Sequence, residues 1–219
     1  MTQPGLGPSV PTLLGRRPRP PAHTGFDRVA VVVAAPDMKR LETAVADHQD
    51  DLAKAAEYAH ENAKCYADWF AHNGHTSPLS GQLELVPDGR PLRGPAPVRA
   101  LLHCELSHGV LMGVQDFDAV RGPMRVEFAA AGDTFAGFRS TVTCRADEPV
   151  LRDDTGIFAS VFQGPDARTG VTRRTERLVF LVFDAPGLSP ERFDRAVHGV
   201  SALLDEAGGT PRVESVDLT

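Results

Sequence analysis

Runs of apolar and β-branched residues indicate where the strands of this chain lie. The runs that predict buried or half-buried strands are 28–36, 124–130, 157–163, 178–184 and 212–218, and 148–156 predicts a strand that runs into a turn. A shorter strand is predicted at Gln82–Val86. No helical pattern separates the strands between 124 and 184, which is typical of an α+β fold with an antiparallel or mixed sheet.

Apolar positions also recur at helical spacing in three segments, and this spacing predicts amphipathic helices. The longest runs from about 38 to 72 and ends at Asn73, which precedes a glycine. Residues 98–108 predict a shorter helix, and 189–208 predict a second long one. The predicted fold is therefore α+β, with a mixed, largely antiparallel sheet flanked by two long helices.

The two ends of the chain differ in composition. Residues 1–25 are rich in proline, glycine and arginine and offer little that could build a core, so we expect a disordered leader there. Residues 26–219 are expected to form a single domain, because a chain of 219 residues can bury one good core. Residues 75–97 are rich in proline and glycine and predict a loop, with a turn at 87–89.

The charge balance narrows the range of partners. The formal net charge is −6, whereas proteins that bind nucleic acid usually present a basic face to the phosphates. We therefore expect no DNA partner. One local basic cluster remains, formed by Arg168, Arg173, Arg174 and Arg177.

The cysteines argue against a disulfide framework. Cys65, Cys104 and Cys144 are far apart and show no paired spacing, which also argues against a structural zinc site and suits a reducing cytoplasm. No apolar run reaches the ~18 residues of a membrane span, so we expect no membrane partner. No cofactor motif is present, and we expect neither a cofactor nor a metal.

Five motifs follow one another in the middle of the chain. In chain order they are a helix from Val98, a turn at 109–113 leading to Asp116, a turn at Ala129–Phe135, a turn at Asp153–Gly156, and a segment with Arg168, Thr169, Thr172 and Thr175 before a strand. Their order and spacing resemble the editing domain of the bacterial phenylalanyl-tRNA synthetase beta subunit, and more closely its free-standing relatives. The resemblance is dense over 98–184 and thinner over 28–205. It implies the fold of that domain and its work, which is to hold the aminoacyl end of a mischarged tRNA and hydrolyse it.

Several polar positions of that family carry other residues here. Leu102 stands where the free-standing relatives have an asparagine, Leu111 where they have a proline, and residues 161–164 where they have a tryptophan-rich block. Gly113 and Leu181 replace a histidine and a glutamate of the synthetase domain. We therefore expect a retained scaffold whose pocket takes a different, more apolar group.

The candidate substrate-binding residues are those that the resemblance places around the pocket: Met112, Gly113, Asp116, Phe162, Gln163, Gly164, Arg168, Thr169 and Thr172. No catalytic side chain is identified, because backbone N–H groups and the tRNA's own terminal hydroxyl can assist hydrolysis of an activated ester. Arg168 could hold a carboxylate or phosphate, or it could pair with Asp166 or Asp153. Asp153 and Asp154 could form a carboxylate or metal site, although a hairpin turn is the commoner use of such a sequence.

Two functions of different class remain. The first is a trans-acting, editing-like protein that hydrolyses or proofreads an aminoacyl ester on a mischarged tRNA. The second is a non-catalytic or weakly catalytic accessory protein that binds a small amino-acid-derived intermediate beside an ATP-dependent ligase in a specialised biosynthetic pathway. A third possibility is a protein–protein module that uses the long helix.

Overall fold

A computed structural model describes residues 13–15, 20–84, 86 and 91–218. The helices of these ranges are α1 (Met38–Asp47), α2 (Leu52–His72), α3 (Pro78–Leu83), α4 (Ala96–His108) and α5 (Pro190–Glu206), with short 3-10 helices at Pro21–His23 and Phe117–Ala119. The strands are β1 (Leu13–Gly15), β2 (Arg28–Ala34), β3 (Met112–Asp116), β4 (Met124–Phe128), β5 (Thr134–Ala136), β6 (Thr141–Thr143), β7 (Pro149–Arg152), β8 (Ile157–Ser160), β9 (Gly164–Pro165), β10 (Leu178–Phe183) and β11 (Arg212–Asp217).

A central antiparallel sheet in the order β11-β2-β10-β3 forms the middle of the molecule. Helices α4 and α5 pack on one face of it, and α1 packs against both of them. The other face meets a second sheet, since Gln115 of β3 contacts Thr169, whose hydroxyl also lies 3.5 Å from the Phe158 carbonyl oxygen of β8. Strand β10 is buried along its whole length because it is covered on both faces, which explains its unbroken apolar sequence.

The second sheet has the order β1-β4-β7-β8-β9, and β5 and β6 form a separate hairpin. The β1–β4 pair is parallel, and the other pairs in this sheet are antiparallel. The α+β prediction is confirmed, although the strands divide among several sheets. Among the described ranges, no helix combines the length and apolar character needed to span a bilayer.

The predicted single helix over 38–72 is wrong. Asp37 is the N-cap of α1, and its side chain accepts hydrogen bonds from the first turn, but the helix ends at Asp47 and α2 begins at Leu52. The intervening segment, His48–Asp51, is polar throughout. It offers no apolar side chain to bury, so nothing holds a continuous helix against the core there.

Two other local predictions also differ from the structure. The predicted strand over 82–86 is wrong, because α3 occupies Pro78–Leu83, with proline in its first turn and Leu79 and Leu83 buried four residues apart. Gly113 does not bracket a turn. It lies inside β3, whereas Gly109 ends α4 with a left-handed φ of 62°. The predicted turn at 87–89 lies outside the described residues.

Part of the predicted leader belongs to the fold. Leu13–Gly15 pairs with β4, and His23 is only 2% exposed. Residues 1–12 and 16–19 lie outside the described ranges. Cys65, Cys104 and Cys144 are free thiols.

Candidate functional site

Several of the predicted site residues lie on strands where the two sheets meet. Met112, Gly113 and Asp116 belong to β3, and Gly164 begins β9. These two strands approach each other closely. The backbone N–H of Asp116 donates to the Thr169 carbonyl oxygen over 2.8 Å. This bond holds the 166–175 loop, which follows β9, against the end of β3.

Gly113 contributes no side chain to its face of the central sheet. It pairs with Leu181 of β10 and is partly exposed, although Leu181 is fully buried. A Cβ built on Gly113 would lie 3.7 Å from Leu181 Cδ1 and 3.8 Å from the Phe183 ring. The side chains next to this bare backbone are therefore apolar. We call the Gly113 backbone, Leu181 and Phe183 the Gly113 cleft.

Met112 does not share the Gly113 cleft. Adjacent residues of a strand point to opposite faces of the sheet, so the Met112 side chain points toward the helices. Its backbone N–H donates to Glu105 Oε1 of α4 over 2.8 Å. Met112 therefore belongs to the junction of α4 and β3.

The threonines of the 166–175 loop form hydrogen bonds within the protein. Thr175 Oγ1 donates to Asp116 Oδ2 over 2.7 Å, and Thr172 accepts from the Arg174 N–H. Thr169 is fully buried, with its hydroxyl within hydrogen-bonding reach of both Gln115 and Asp166. These contacts hold the 166–175 loop in place.

Arg168 also forms ion pairs and a hydrogen bond within the chain. Its guanidinium lies 3.0 Å from Asp153 Oδ2 and 3.3 Å from Asp166 Oδ2, and it donates to the Ala119 carbonyl oxygen. Burial would raise the pKa of Asp153, but backbone N–H donors from Arg121 and Thr155, together with Arg168, outweigh it and lower that pKa. Of the two alternatives, the structure places Arg168 in ion pairs with both aspartates.

The Asp153–Gly156 segment forms a turn. Asp153 Oδ1 accepts hydrogen bonds from the N–H groups of Thr155 and Gly156 over 2.8 Å and 3.1 Å. Within the described ranges, no group of three or more potential ligating side chains is arranged to hold a metal ion.

Phe162 lies in an aromatic cluster with His23, Trp69, Phe70 and His75. Ring centroids lie 4.9 Å from Phe162 for Trp69 and Phe70, and 5.0 Å for His75. Burial lowers the pKa of both histidines, which favours their neutral forms. The sequence did not signal His23, because it lies in the proline-rich leader.

Gln163 and Gly164 have different environments. Gln163 Nε2 donates to both carboxylate oxygens of Glu148, over 2.8 Å and 2.9 Å, and Glu148 is only 2% exposed. Gly164 has a left-handed φ of 86°, and a Cβ built on it would meet nothing within 4 Å. The backbone of Gly164 is therefore uncovered, whereas the side-chain amide of Gln163 is already hydrogen-bonded to Glu148.

Glu105 is a functional candidate that the sequence reasoning missed. It is 4% exposed, and burial raises its pKa to about 8, although the Met112 N–H opposes this rise. A lone acid among apolar residues of a predicted helix was the available signal.

The basic cluster divides into paired and unpaired arginines. Arg177 pairs with Asp118, and Arg168 is paired as described. Arg173 and Arg174 are exposed and form no ion pair within the described part of the chain.

An exposed aromatic ring lies against the loop that carries Arg173 and Arg174. Phe138, at the tip of the β5–β6 hairpin, is 66% exposed, and its ring edge lies against Gly170. Arg139 follows it and forms no ion pair with any described residue. We call Phe138, Arg139, Arg173 and Arg174 the Phe138 surface.

A distant likeness is found among the solved structures that match this chain. The chain is similar to the crystal structure of an N-terminal fragment of the phenylalanyl-tRNA synthetase beta-subunit from Pyrococcus horikoshii, with a TM-score of 0.47 and 19% identity. The match covers 59% of this chain and 47% of that one, so it spans about half of the fragment. No protein-family model and no curated protein matches the chain.

Proposed function

We propose that this protein holds the aminoacyl end of a mischarged tRNA in the Gly113 cleft and hydrolyses the ester in trans. The observation that carries the proposal is the partly exposed bare backbone at Gly113, with the buried side chains of Leu181 and Phe183 beside it. An apolar surface of this kind suits an apolar amino-acid side chain.

Hydrolysis of an aminoacyl ester needs few catalytic side chains. An aminoacyl ester is already activated, so backbone N–H groups that stabilise the developing oxyanion, and a water placed by the terminal ribose hydroxyl, can carry much of the reaction. Gly164 supports this view, because its left-handed backbone has open space where a Cβ would lie.

The Phe138 surface offers a place for the RNA end. An exposed ring can stack on a base, and arginines without carboxylate partners can neutralise phosphates. These local features are compatible with an RNA partner despite the net charge of −6.

A second function is favoured because the polar residues of the predicted site already form hydrogen bonds or ion pairs within the protein. Arg168, Thr169 and Gln163 all bond within the protein, which leaves few side chains to drive a reaction. An accessory protein that binds an amino-acid-derived intermediate, without hydrolysing it, would use the same cleft beside an ATP-dependent ligase.

The test is deacylation of a panel of mischarged tRNAs, with wild type compared to Gly113→Leu and Gly113→Ala. A leucine side chain would fill the cleft, whereas the alanine Cβ would make ordinary contacts of 3.7 to 3.8 Å. We expect release of one class of apolar amino acid by wild type and Gly113→Ala, and its loss in Gly113→Leu.

Binding of a non-hydrolysable aminoacyl analogue separates the two functions. Binding that needs an open Gly113, without hydrolysis of any ester, would replace the first function by the second. Hydrolysis that is unchanged in Gly113→Leu, or absence of both hydrolysis and binding, would overturn the assignment of the cleft.

A further inference from the structure

A second pocket lies on the helical side of the molecule. Its volume is about 510 Å³, and it is lined by the α1–α2 turn, the first turn of α2, α3 and α4. This volume is within the range of small-molecule sites. We call it the α3–α4 pocket.

The floor of the α3–α4 pocket is apolar. Leu52 and Leu106 are 2% and 3% exposed, and Leu92 and Leu102 are partly buried. Such a floor favours a ligand with an apolar body.

The rim of the pocket carries two opposite charges. Asp50 and Arg93 both line it and are both exposed, and within the described ranges neither forms an ion pair with the other or with any third residue. Paired charges would favour a purely structural role. Unpaired charges of opposite sign can each take the complementary group of a ligand.

A side-chain amide that forms no hydrogen bond to the described residues lines the same pocket. The side chain of Gln82 makes no hydrogen bond to any described residue, and its Oε1 atom is buried without a partner. Rotation of this amide would offer both a donor and an acceptor to a ligand. An unsatisfied buried amide is costly, so a ligand that completes it gains affinity.

We propose that the α3–α4 pocket binds a free amino acid with a large apolar side chain. The ammonium group lies at Asp50, the carboxylate at Arg93, and the side chain on Leu52, Leu102 and Leu106. This site is separate from the Gly113 cleft and does not depend on the function proposed for the cleft.

The test uses L-phenylalanine as the probe, with two analogues that each lack one charge. Phenylalaninamide keeps the ammonium group, and N-acetylphenylalanine keeps the carboxylate. Calorimetry and NMR shift mapping on the full chain should show L-phenylalanine binding. Arg93→Gln should weaken it about tenfold or more without affecting phenylalaninamide, and Asp50→Asn should weaken it similarly without affecting N-acetylphenylalanine.

Two control variants fix the location. Arg195→Gln removes an arginine that lines a different pocket and should change nothing. Leu102→Trp should fill the floor and abolish binding of all three probes. Absence of L-phenylalanine binding at millimolar concentration, or equal affinity in Arg93→Gln, Asp50→Asn and wild type, would overturn the proposal. Binding that is lost in Gly113→Leu but kept in Leu102→Trp would also overturn it and would place the ligand in the cleft.

Discussion

Glu105 of α4 accepts a hydrogen bond of 2.8 Å from the backbone N–H of Met112, at the start of β3. A buried acid therefore joins the helix to the strand, one residue before Gly113. Burial raises its pKa to about 8. Because the proton remains on the carboxyl in the folded protein at neutral pH, the stability of this junction depends on pH.

We expect Glu105→Gln to remove a pH dependence of stability. The folded pKa of about 8 lies above the ordinary value of 4.5, so the folded state holds a proton that the unfolded state has lost between these values. The stabilisation is fully present below pH 4.5 and is lost as pH rises through about 8. The loss is on the order of a few kcal/mol, since one pKa unit corresponds to about 1.4 kcal/mol.

Urea unfolding from about pH 6.5 to 8.5 checks this expectation. Asp184, whose pKa is about 6, and the histidines with lowered pKa also contribute to the slope, but they titrate in both proteins and cancel in the difference between them. Glutamine keeps an acceptor for the Met112 N–H, so the fold is retained. Equal slopes for wild type and Glu105→Gln would show that Glu105 does not hold this proton.

Arg168→Ala should destabilise the protein by about 1 to 3 kcal/mol, because it leaves the buried carboxylates of Asp153 and Asp166 without their cation. We expect the lower end of this range, since Asp153 keeps three backbone N–H donors. The measurement is the free energy of unfolding in urea, with Arg125→Ala as the matched control. Arg125 pairs with Asp154, which is 59% exposed, and lies 3.9 Å from Glu127, which keeps Arg152 at 3.2 Å as a second cation. Its loss therefore leaves no buried carboxylate without a cation and should cost less than 1 kcal/mol. Equal costs for the two variants would contradict this account.

Much of the fold could be predicted because it rests on local pattern. Strand β10 is an unbroken apolar run and α5 begins at a Ser-Pro pair, so both were found from sequence. The break between α1 and α2 was missed because a short polar turn does not interrupt the helical spacing of apolar residues around it. The inclusion of β1 depends on pairing with β4, more than 100 positions away, which no local pattern reports.

The candidate site was less predictable for the same reason. The motif order placed Gly113 in a turn, so its position in β3, close to Gly164 of β9, was not predicted. The hydrogen bonding of Thr169 was not predicted either, because its partner Gln115 lies 54 positions away. The α3–α4 pocket could not be anticipated either, since α3 itself was predicted as loop and strand.

The Phe138 surface gives two separable effects on RNA affinity. Arg173→Gln with Arg174→Gln should reduce the slope of log affinity against log salt by up to about 1.4, because each phosphate contact to a single strand contributes about 0.7. Phe138→Ala should weaken binding about tenfold with an unchanged slope, because stacking releases no counterions.

Fluorescence titration with a single-stranded oligonucleotide at several salt concentrations measures both effects of the Phe138 surface. Tyr58→Ala is the control, because Tyr58 is also exposed, at 76%, but lies on α2. A loss of affinity as large in Tyr58→Ala would argue against a specific surface.

Gly109→Ala should be among the most destabilising glycine substitutions, because two costs combine at this position. Its φ of 62° is left-handed, and a Cβ there would lie 2.1 Å from the Ala59 carbonyl oxygen of α2. That oxygen belongs to helix backbone and cannot rotate away, so α2 and the end of α4 must separate. We expect a loss of about 2 to 4 kcal/mol in the free energy of unfolding.

Gly132→Ala is the matched control for Gly109→Ala, since the φ of Gly132, 86°, is also left-handed but its Cβ would meet nothing within 4 Å. It should lose only about 1 kcal/mol. Equal losses in the two variants would mean that backbone conformation alone, and not the close approach of α4 to α2, explains the glycine at 109.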